Sequence, residues 1–522
     1  MGGADSLQAK VLNFMGRPEA YVPVPATVER IETHASIVFL AGDGAYKVKR
    51  AVKYPFLDFS TLEKRRLACL NELRVNRRTA PELYLDVVPV TEGEGGTLRL
   101  GGEGKPVEWV LRMRRFDQEK LYDRMAEEGR LGLDRMPRLA EVIAKFHAVA
   151  DRALAPDQAV RPLESVLRDN EETFAANSDT IPRQEASEFA RSSRALLAAL
   201  SPLLEARARG GYVRHCHGDL HLRNIVEVDG APVLFDAIEF DDRLATIDVL
   251  YDLAFLLMDL GKRGLNAHAN LLFNAYLEID GSTGNLVGLK ALPLFLSMRA
   301  AIRAKVELLR ARTVRNAAQD AARENALSYF ELARRFLAPP PLRLIAIGGL
   351  SGTGKSAVAR AIAPYIGAFP GAVHIRSDVE RKRLFGAALT ERLPDAAYAP
   401  QVSDYVYAVC RKRARMALEG GQAVILDAVH AKQEEREAIA ALAAERCIPF
   451  TGLWLEAPAD VMRKRVASRE SDVSDATPDI VDIQLGYDIG PQSFERIDAG
   501  RPLEQVIASC LDRIGSERGA AG

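Results

Sequence analysis

The sequence contains few cysteines and almost no net charge. Its 522 residues include five cysteines, and 70 lysines and arginines are balanced by 71 aspartates and glutamates. The cysteines are scattered without a C-x-x-C pair, which argues against a disulfide scaffold and a structural zinc site. A net charge of -1 gives no overall basic field that attracts nucleic acid or anionic lipid. We therefore expect a protein of the reducing cytoplasm with small-molecule partners.

Export signals and long uncharged apolar runs are lacking as well. Residues 1–17 show no basic segment followed by an apolar one, and apolar runs such as residues 253–257 are bounded by charged residues. This pattern predicts neither a signal peptide nor a membrane span. A hydrophobic content of 48% and a charged content of 27% are typical of globular proteins. The length predicts roughly two to four folding units.

A proline-rich break divides the chain. Residues 338–341 read Ala-Pro-Pro-Pro, and proline ends a helix because it lacks the N–H donor and restricts the preceding residue. We place the boundary at residues 337–342. This predicts a first domain at 1–337, a linker at 338–342 and a second domain at 343–522. Nothing in the sequence indicates an oligomeric state.

The first domain is predicted to have a small lobe at about 25–113 and a helical lobe at about 117–335. Apolar patterning predicts one helix, ending near residue 78, and small-lobe strands at 29–41, 46–52, 83–90, 97–100 and 107–113. A hairpin turning at Asp229-Gly230 interrupts the helical lobe within residues 215–240. The first domain is therefore expected to be α+β.

Strands and helices alternate beyond the linker. Strands are expected at 342–347, 373–376, 423–427 and 450–455, and helices at 355–366, 402–418, 433–444 and 459–469. Such alternation predicts an α/β domain with a parallel sheet.

The first strand of the second domain runs into GLSGTGKS, residues 349–356, and then a helix. In that setting the pattern predicts a phosphate-binding loop, because its glycines let backbone N–H groups close around phosphates. The lysine reaches the same oxygens, and the serine hydroxyl can ligate Mg²⁺. A glycine-rich turn without a ligand is the alternative. The predicted nucleotide-binding residues are Gly349, Ser351, Gly352, Thr353, Gly354, Lys355 and Ser356, and Ser356 is also a predicted metal ligand.

Two aspartates follow strands of this domain. Asp378 stands at the carboxyl end of the second strand, where it can accept the proton of a substrate hydroxyl, or it can simply cap the helix at 379–384. Asp427 ends an apolar strand, as a second phosphate and Mg²⁺ element does, or as an ordinary strand-end residue does.

Three arginines, Arg463, Arg465 and Arg469, precede a stretch at 471–478 that looks like a lid. Arginines brought over a transferring phosphate stabilise its charge. We predict that Arg463 and Arg469 bind nucleotide, with a solvated helix face as the alternative.

The strings GLSGTGKS, IRSD and VILDA make residues 342–515 resemble the small P-loop kinases of the zeta-toxin, gluconate-kinase and polynucleotide-kinase type. The resemblance implies phosphoryl transfer from ATP to a hydroxyl, with Asp378 as the base. It leaves the acceptor open.

The hairpin region of the first domain reads HCHGDLHLRN at 215–224, followed by DAIE at 236–239. In a protein-kinase-type site one Asp deprotonates the acceptor hydroxyl, an Asn holds Mg²⁺, and a later Asp joins the metal to the phosphates. Asp219, Asn224 and Asp236 have that spacing. The alternatives are an ordinary polar loop, or a metal cluster of His217, Asp219 and His221.

A phosphate-binding lysine is expected on the strand that returns after the first turn. Lys47 fits the small-x-Lys pattern of a kinase third strand, and Glu72 in the next helix is its expected ion-pair partner. Lys49 and Lys53 lie on the same strand face by the period of two, and Glu63 is a weaker partner.

HGDLHLRN, VLFDAIEF and DVLYDLAFLL make residues 25–335 resemble the aminoglycoside phosphotransferase family, and more closely a bacterial group that fuses this domain to a P-loop kinase. The resemblance implies a protein-kinase-like fold, with Asp219 as base, Asn224 and Asp236 as metal ligands and Asp252 as a structural residue. Residues 33–36 stand where protein kinases carry a glycine-rich loop.

These features together predict an enzyme with two phosphotransferase domains that use ATP and Mg²⁺ to phosphorylate hydroxylated small molecules. Two alternatives stay open. One domain can act as a nucleotide-sensing regulator of the other or of a partner, or the P-loop part can be a zeta-toxin-like kinase.

Overall fold

The computed structural model describes residues 2–54, 57–153, 159–468 and 473–515. They form two compact units. The first unit comprises residues up to 158 together with 211–252, and the second comprises 159–210 together with 253–522. Each unit is therefore built from more than one segment of the chain.

Helices and strands are numbered here in chain order. The strands are β1 Val28–Glu32, β2 Ser36–Ala41, β3 Gly44–Lys49, β4 Lys53–Tyr54, β5 Leu57–Asp58, β6 Tyr84–Glu92, β7 Leu98–Leu100, β8 Lys105–Arg114, β9 Val213–His215, β10 Ile225–Val228, β11 Ala231–Leu234, β12 Thr246–Asp248, β13 Leu344–Gly348, β14 Val373–Arg376, β15 Val424–Asp427, β16 Phe450–Glu456 and β17 Glu495–Asp498. The helices are α1 Gly2–Met15, α2 Leu62–Asn76, α3 Tyr122–Glu127, α4 Arg135–Val149, α5 Arg161–Ala175, α6 Arg183–Arg209, α7 Asp242–Ala245, α8 Val249–Lys262, α9 Asn266–Asp280, α10 Thr283–Gly288, α11 Leu292–Ala311, α12 Ala317–Phe336, α13 Lys355–Ile362, α14 Ser377–Leu384, α15 Pro400–Glu419, α16 Gln433–Ala444, α17 Ala459–Ala467, α18 Pro478–Leu485 and α19 Leu503–Ile514.

The first unit is organised on an antiparallel sheet of order β1-β2-β3-β8-β6-β7. Alternate residues of its central strands face one core, as the period of two requires; Ile37, Phe39, Val48 and Val110 are all at most 1% exposed. Helix α2 packs against β8 and β6. The small sheet with one helix is therefore present as predicted.

The prediction of one strand over residues 29–41 is wrong. The chain turns back after β1, and β1 pairs antiparallel with β2, with Ile31 opposite Val38. A Thr33-to-Ser36 turn joins them, because the Thr33 hydroxyl accepts a hydrogen bond from the Ser36 N–H at 2.9 Å. Local side-chain bonding of this kind ends a strand where apolar patterning alone suggests that it continues.

The second unit contains a parallel sheet of order β14-β15-β13-β16-β17. Every residue of the central strand β13 is buried, which is typical of a strand covered on both faces. The four predicted strands are confirmed, with ends shifted by at most two residues. Edge strand β17 was not predicted, because only Ile497 of its four residues is buried and the pattern is too short to read.

One stretch, Thr283–Ala311, is long and apolar enough to cross a membrane by length and composition. Of the 18-residue window of this stretch that meets the criterion, 78% is buried inside the protein. The core helix of a globular protein meets the same criterion.

Arg436 is a buried arginine that links two loops of the second unit. Its side chain is 0% exposed. Its guanidinium donates to the carbonyls of His430 at 2.8 Å, Ala431 at 2.7 Å, Ile489 at 2.6 Å and Pro491 at 2.9 Å. One residue thus satisfies acceptors from two separate loops.

We predict that Arg436→Met lowers the free energy of unfolding by about 3 kcal/mol, because these carbonyls lose their donor without gaining water. Urea denaturation measures the change. The control is Arg415→Met, since Arg415 is 45% exposed and pairs with Glu445 at the surface; its change is expected to stay within about 0.5 kcal/mol. Equal losses in the two variants would contradict the role assigned to Arg436.

Candidate active sites

In the first unit, Lys47 lies between two carboxylates. Its ammonium on β3 is 2.6 Å from Glu72 Oε1 on α2 and 3.1 Å from Asp236 Oδ1, which follows the β10–β11 hairpin. The Glu72 side chain is fully buried, whereas Asp236 is 46% exposed. The ion pair expected between Lys47 and Glu72 is therefore present, and Lys47 also reaches the carboxylate predicted to bind metal.

Lys49 binds the same glutamate from the same strand face. Its ammonium is 2.5 Å from Glu72 Oε2 and 2.6 Å from Glu239 Oε1. Burial alone raises the pKa of Glu72, but the charges of Lys47 and Lys49 outweigh it and lower the pKa to about 2. Lys47, not Lys49, is the lysine in contact with Asp236.

The weaker sequence candidates lie elsewhere. Lys53 is 73% exposed and lies 3.9 Å from Asp58. Glu63 is 64% exposed and pairs with Arg66 on its own helix. Neither contributes to the buried group around Glu72.

Asp219 is oriented by its own loop. The Asn224 side-chain amide donates to both the backbone oxygen and Oδ2 of Asp219, each at 3.0 Å, and His221 Nε2 lies 3.3 Å from Oδ2. The Asp219 side chain is 38% exposed. This leaves a fixed carboxylate that solvent or a substrate can reach.

Asp252 holds that loop from the interior. Its carboxylate accepts hydrogen bonds from the backbone N–H groups of His217 at 3.1 Å and Gly218 at 2.8 Å, and lies 3.1 Å from His147 Nε2. Gly218 has a φ of +82°, and a Cβ there would lie 2.9 Å from Ile238 Cδ1. The glycine of the motif is thus required for the loop to close over Asp252.

The alternative metal cluster of His217, Asp219 and His221 does not form. His217 Nε2 lies 3.0 Å from the Phe235 carbonyl. Within the described ranges, the ligand atoms that come within 4.8 Å of one another belong to His147, Cys216 and Asp252. Asp252 in that group is already bonded to backbone donors, so it serves the loop.

Asp236 adopts a left-handed backbone conformation, with φ of +59°. Two side chains fix this turn: the Asp236 N–H donates to the Tyr84 hydroxyl at 3.1 Å, and the Ala237 N–H donates to Asn76 Oδ1 at 2.8 Å. A non-glycine residue in this region is strained and needs such support. The turn brings the Asp236 carboxylate to Lys47.

The phosphate loop of the second unit is a tight cradle between β13 and α13. Gly349 and Gly352 have φ values of +136° and +84°, and a Cβ on either would lie 2.5 Å from the carbonyl oxygen of Leu455 or Met462, respectively. Only glycine fits at these positions. Lys355 begins α13 and donates to the Leu350 carbonyl at 3.1 Å.

Asp427 lies beside the loop serine. Its Oδ2 accepts from Ser356 Oγ at 2.6 Å and lies 3.2 Å from His374 Nε2. Burial raises the pKa of Asp427, but the hydrogen bond and charge of His374 and the charges of Lys355 and Arg376 hold it below its usual range. The pair therefore offers a hydroxyl and an ionised carboxylate, the oxygen ligands that Mg²⁺ prefers.

Asp378 is half-buried in the first turn of α14. The helix cap is Arg376, so the alternative that Asp378 caps this helix is wrong. Its role as a base stays a prediction.

The arginines are placed differently from one another. Arg463 forms a surface ion pair with Asp482 of α18 at 2.6 Å, and its role in nucleotide binding stays a prediction. Arg465, which the prediction passed over, donates to the Thr353 carbonyl of the loop at 3.3 Å. Arg469 and residues 471–472 of the proposed lid lie outside the described residues.

Comparison with known proteins gives the family. Residues 38–286 match the model of the phosphotransferase enzyme family, and residues 344–485 match an AAA domain. An uncharacterized protein of Mycobacterium tuberculosis and one of Mycobacterium bovis are each 30% identical over 491 residues, which cover 91% of this chain and 93% of each relative. The chain belongs to the same family as these mycobacterial proteins, and it carries a domain of the phosphotransferase enzyme family followed by an AAA domain. It is a kinase-type phosphotransferase with a hydroxyl acceptor, and the predicted pair of folds, α+β kinase-like and then α/β P-loop, is confirmed.

Solved structures are distant. A choline/ethanolamine kinase family protein from Mesorhizobium loti is 17% identical with a TM-score of 0.39, and covers 64% of this chain and 98% of its own. A sugar kinase from Janibacter is 20% identical with a TM-score of 0.26, and covers 35% of this chain and 99% of its own.

Sequence reasoning missed several residues of these candidate sites. Tyr84 and Asn76 support Asp236, His374 supports Asp427, and Gln484 accepts from the Ser351 N–H at 2.7 Å. The position of His374 on a strand, four residues before Asp378, was a usable signal. The others come from distant elements and carry no local pattern.

We predict that Glu72 stabilises the protein only above strongly acidic pH. The pKa falls from its ordinary value near 4.5 to about 2 on folding, so the stabilisation is fully present above pH 4.5 and is lost as pH falls towards 2. Unfolding midpoints of the wild type and Glu72→Gln should differ most above pH 4.5 and converge towards pH 2. A difference that is constant over this range would contradict the assignment.

Proposed function

We propose that the protein is a two-site phosphotransferase, in which each site transfers the γ-phosphate of ATP to a hydroxyl group of a small molecule. The observation that carries the proposal is the contact of Lys47 with both Glu72 and Asp236, in a chain that also sets Ser356 2.6 Å from Asp427. These are two separate arrangements of the kind that bind nucleotide phosphates and metal.

At the first site, Asp219 accepts the proton of the acceptor hydroxyl as its oxygen attacks the γ-phosphorus. The bond between that phosphorus and the β–γ bridging oxygen breaks, and ADP leaves with the bridging oxygen. The fixed, partly exposed carboxylate of Asp219 suits this role, since a base must lie within hydrogen-bond reach of the proton. Lys47 would place its positive charge beside the phosphate oxygens, and the ion pair with Glu72 holds the Lys47 side chain in position.

The residues present fit Mg²⁺ at both sites. Asn224 and Asp236 would hold it in the first, and Ser356 with Asp427 in the second, all through oxygen atoms. When bound, the metal neutralises charge that develops on the phosphate oxygens.

At the second site, the Gly349–Ser356 loop would cradle the phosphates through its backbone N–H groups, with Lys355 as their counter-charge. Asp378 would take the acceptor's proton. Arg465 contacts this loop at the Thr353 carbonyl, whereas Arg463 pairs with Asp482, so Arg465 replaces Arg463 in the proposal.

A reducing cytoplasm is the location we propose. The five cysteines all lie in the described residues, where no disulfide joins them, and four of them are buried. Buried thiols are stable in a reducing compartment, where disulfides rarely form.

The test is phosphorylation of a metabolite pool, followed by mass spectrometry. The wild type should add phosphate to at least one hydroxylated compound in the presence of ATP. Asp219→Ala is expected to slow the transfer made by the first site about 10²–10⁴-fold, because a general base is lost. Lys355→Ala should abolish the transfer made by the second.

Matched controls are Asp229→Ala, at an exposed hairpin turn, and Lys290→Ala, at an exposed position between α10 and α11. Both should phosphorylate as the wild type does. If neither site variant lowers transfer to any acceptor, the proposal fails. Nucleotide binding without transfer would favour a nucleotide-sensing regulator instead.

A further inference from the structure

Strand β14 is an edge of the parallel sheet, and its outer side faces α9 within the second unit. The Val373 N–H donates inward to the Ala423 carbonyl at 2.8 Å. Successive residues of a strand bond to opposite sides, so the groups of Ala372 and His374 point outward. Outward groups of an edge strand need partners when they are buried.

Asn274 of α9 supplies those partners. Its Oδ1 accepts from the His374 N–H at 2.7 Å, and its Nδ2 donates to the Ala372 carbonyl at 3.1 Å. One side-chain amide thus pairs with the His374 N–H and the Ala372 carbonyl, as the backbone of a neighbouring strand would. Asn270, one turn earlier, donates to the carbonyls of Pro370 at 3.1 Å and Ala372 at 3.2 Å. Asn270 and Asn274 are only 2% and 7% exposed.

The carboxyl end of α9 is held as well. Arg383 of α14 donates to the Glu278 carbonyl at 2.8 Å, and Arg413 of α15 donates to the Gly281 carbonyl at 2.9 Å. Positive groups at a helix carboxyl end bind its free carbonyls and its dipole. Glu380 pairs with both arginines, so α9, α14 and α15 are fixed to one another.

A short chain of hydrogen bonds runs from α9 to the phosphate loop. Asn274 holds the His374 N–H at 2.7 Å, His374 Nε2 lies 3.2 Å from Asp427, and Asp427 accepts from Ser356 at 2.6 Å. Strand β14 continues directly to Asp378, so the same support also fixes the predicted base.

Helix α9 lies in the second unit, but by sequence it belongs to the phosphotransferase domain. Asn270 and Asn274 lie within residues 38–286, which match the phosphotransferase model, whereas His374, Asp427 and Ser356 lie within 344–485, which match the AAA model. A helix of the first domain therefore completes the sheet edge of the second.

We propose that Asn274 is a positioning residue of the P-loop site, through which a helix of the phosphotransferase domain sets the Ser356–Asp427 pair for Mg²⁺-bound nucleotide. The inference rests on the proposed function of that site. A merely structural role would give Asn274 an effect on stability alone, whereas a positioning role changes how strongly Mg²⁺ improves nucleotide binding.

The test uses the full chain carrying Lys47→Met, so that nucleotide binding reports the P-loop site. The affinity for a non-hydrolysable ATP analogue is measured with and without Mg²⁺. Asn274→Leu keeps the branching and the number of heavy atoms of the side chain and removes both hydrogen bonds to β14. We expect the gain in affinity on adding Mg²⁺ to fall about tenfold, as for loss of ~1.4 kcal/mol, with binding in the absence of Mg²⁺ unchanged. Amide exchange at His374 should accelerate, with no change in β13.

A second variant, His374→Phe, removes the side-chain contact with Asp427 and keeps the backbone N–H that Asn274 of α9 accepts from. It should give a similar loss of the Mg²⁺ effect, and the two losses should not add in the double variant, because they act through one chain of contacts. This variant also tests the proposal if Asn274→Leu folds poorly.

Asn177→Leu is the matched control, since Asn177 is a buried amide that bonds Thr173 and Arg312 instead of β14. It should leave the Mg²⁺ effect unchanged. The inference is overturned if Asn274→Leu and His374→Phe keep the wild-type Mg²⁺ effect while Lys355→Ala abolishes binding. If Lys355→Ala itself leaves binding intact, the proposed function of the P-loop fails first.

Discussion

A carboxylate removed from water stays ionised only when cations or hydrogen-bond donors replace its hydration. Both candidate sites depend on this constraint. Glu72 in the first unit is fully buried and is compensated by two lysines, while Asp427 in the second is compensated by Ser356 and His374 together with nearby positive charge. In each case one of the groups that stabilise the carboxylate, Lys47 in the first unit and Ser356 in the second, is also predicted to meet phosphate or metal.

The two candidate sites differ in what fixes their geometry. In the first, the Lys47 ammonium is held by ion pairs before any phosphate arrives, so little ordering is left for the moment of binding. In the second, the cradle is backbone, and its shape is enforced by the close approach of the Leu455 and Met462 carbonyls to glycines. If both proposed sites bind phosphate, unrelated folds supply the fixed positive environment by side-chain pairing in one unit and by backbone geometry in the other.

Much of the fold was predictable because the relevant signals are local. The phosphate loop, the parallel strands and the HGDLHLRN loop are all short patterns whose spacing carries chemistry. The failures are of two kinds. The turn at Thr33–Ser36 is made by a side-chain hydrogen bond inside an apolar pattern, and strand β17 has one buried residue among four. The period of apolar residues therefore could not predict either the turn or the strand.

The site residues divide in the same way. Lys47 could be favoured over Lys49 from its motif, but only the structure shows that Lys47 is the one in contact with Asp236, because that contact spans 189 residues. Arg465 could not be chosen over Arg463 from sequence, since both lie on one short helix and only their neighbours differ. Asn274 lies 100 residues before its partner His374, in a helix with no nucleotide motif. Long-range partners of this kind are set by packing, which sequence patterns do not record.

The central claim is that one chain carries two separate nucleotide sites. Native mass spectrometry of the full chain with Mg²⁺ and a non-hydrolysable ATP analogue counts them directly. The account predicts two analogues bound per chain in the wild type, one in Lys47→Met, one in Lys355→Ala and none in the double variant. A single analogue in the wild type, or its loss in both single variants, would contradict the claim.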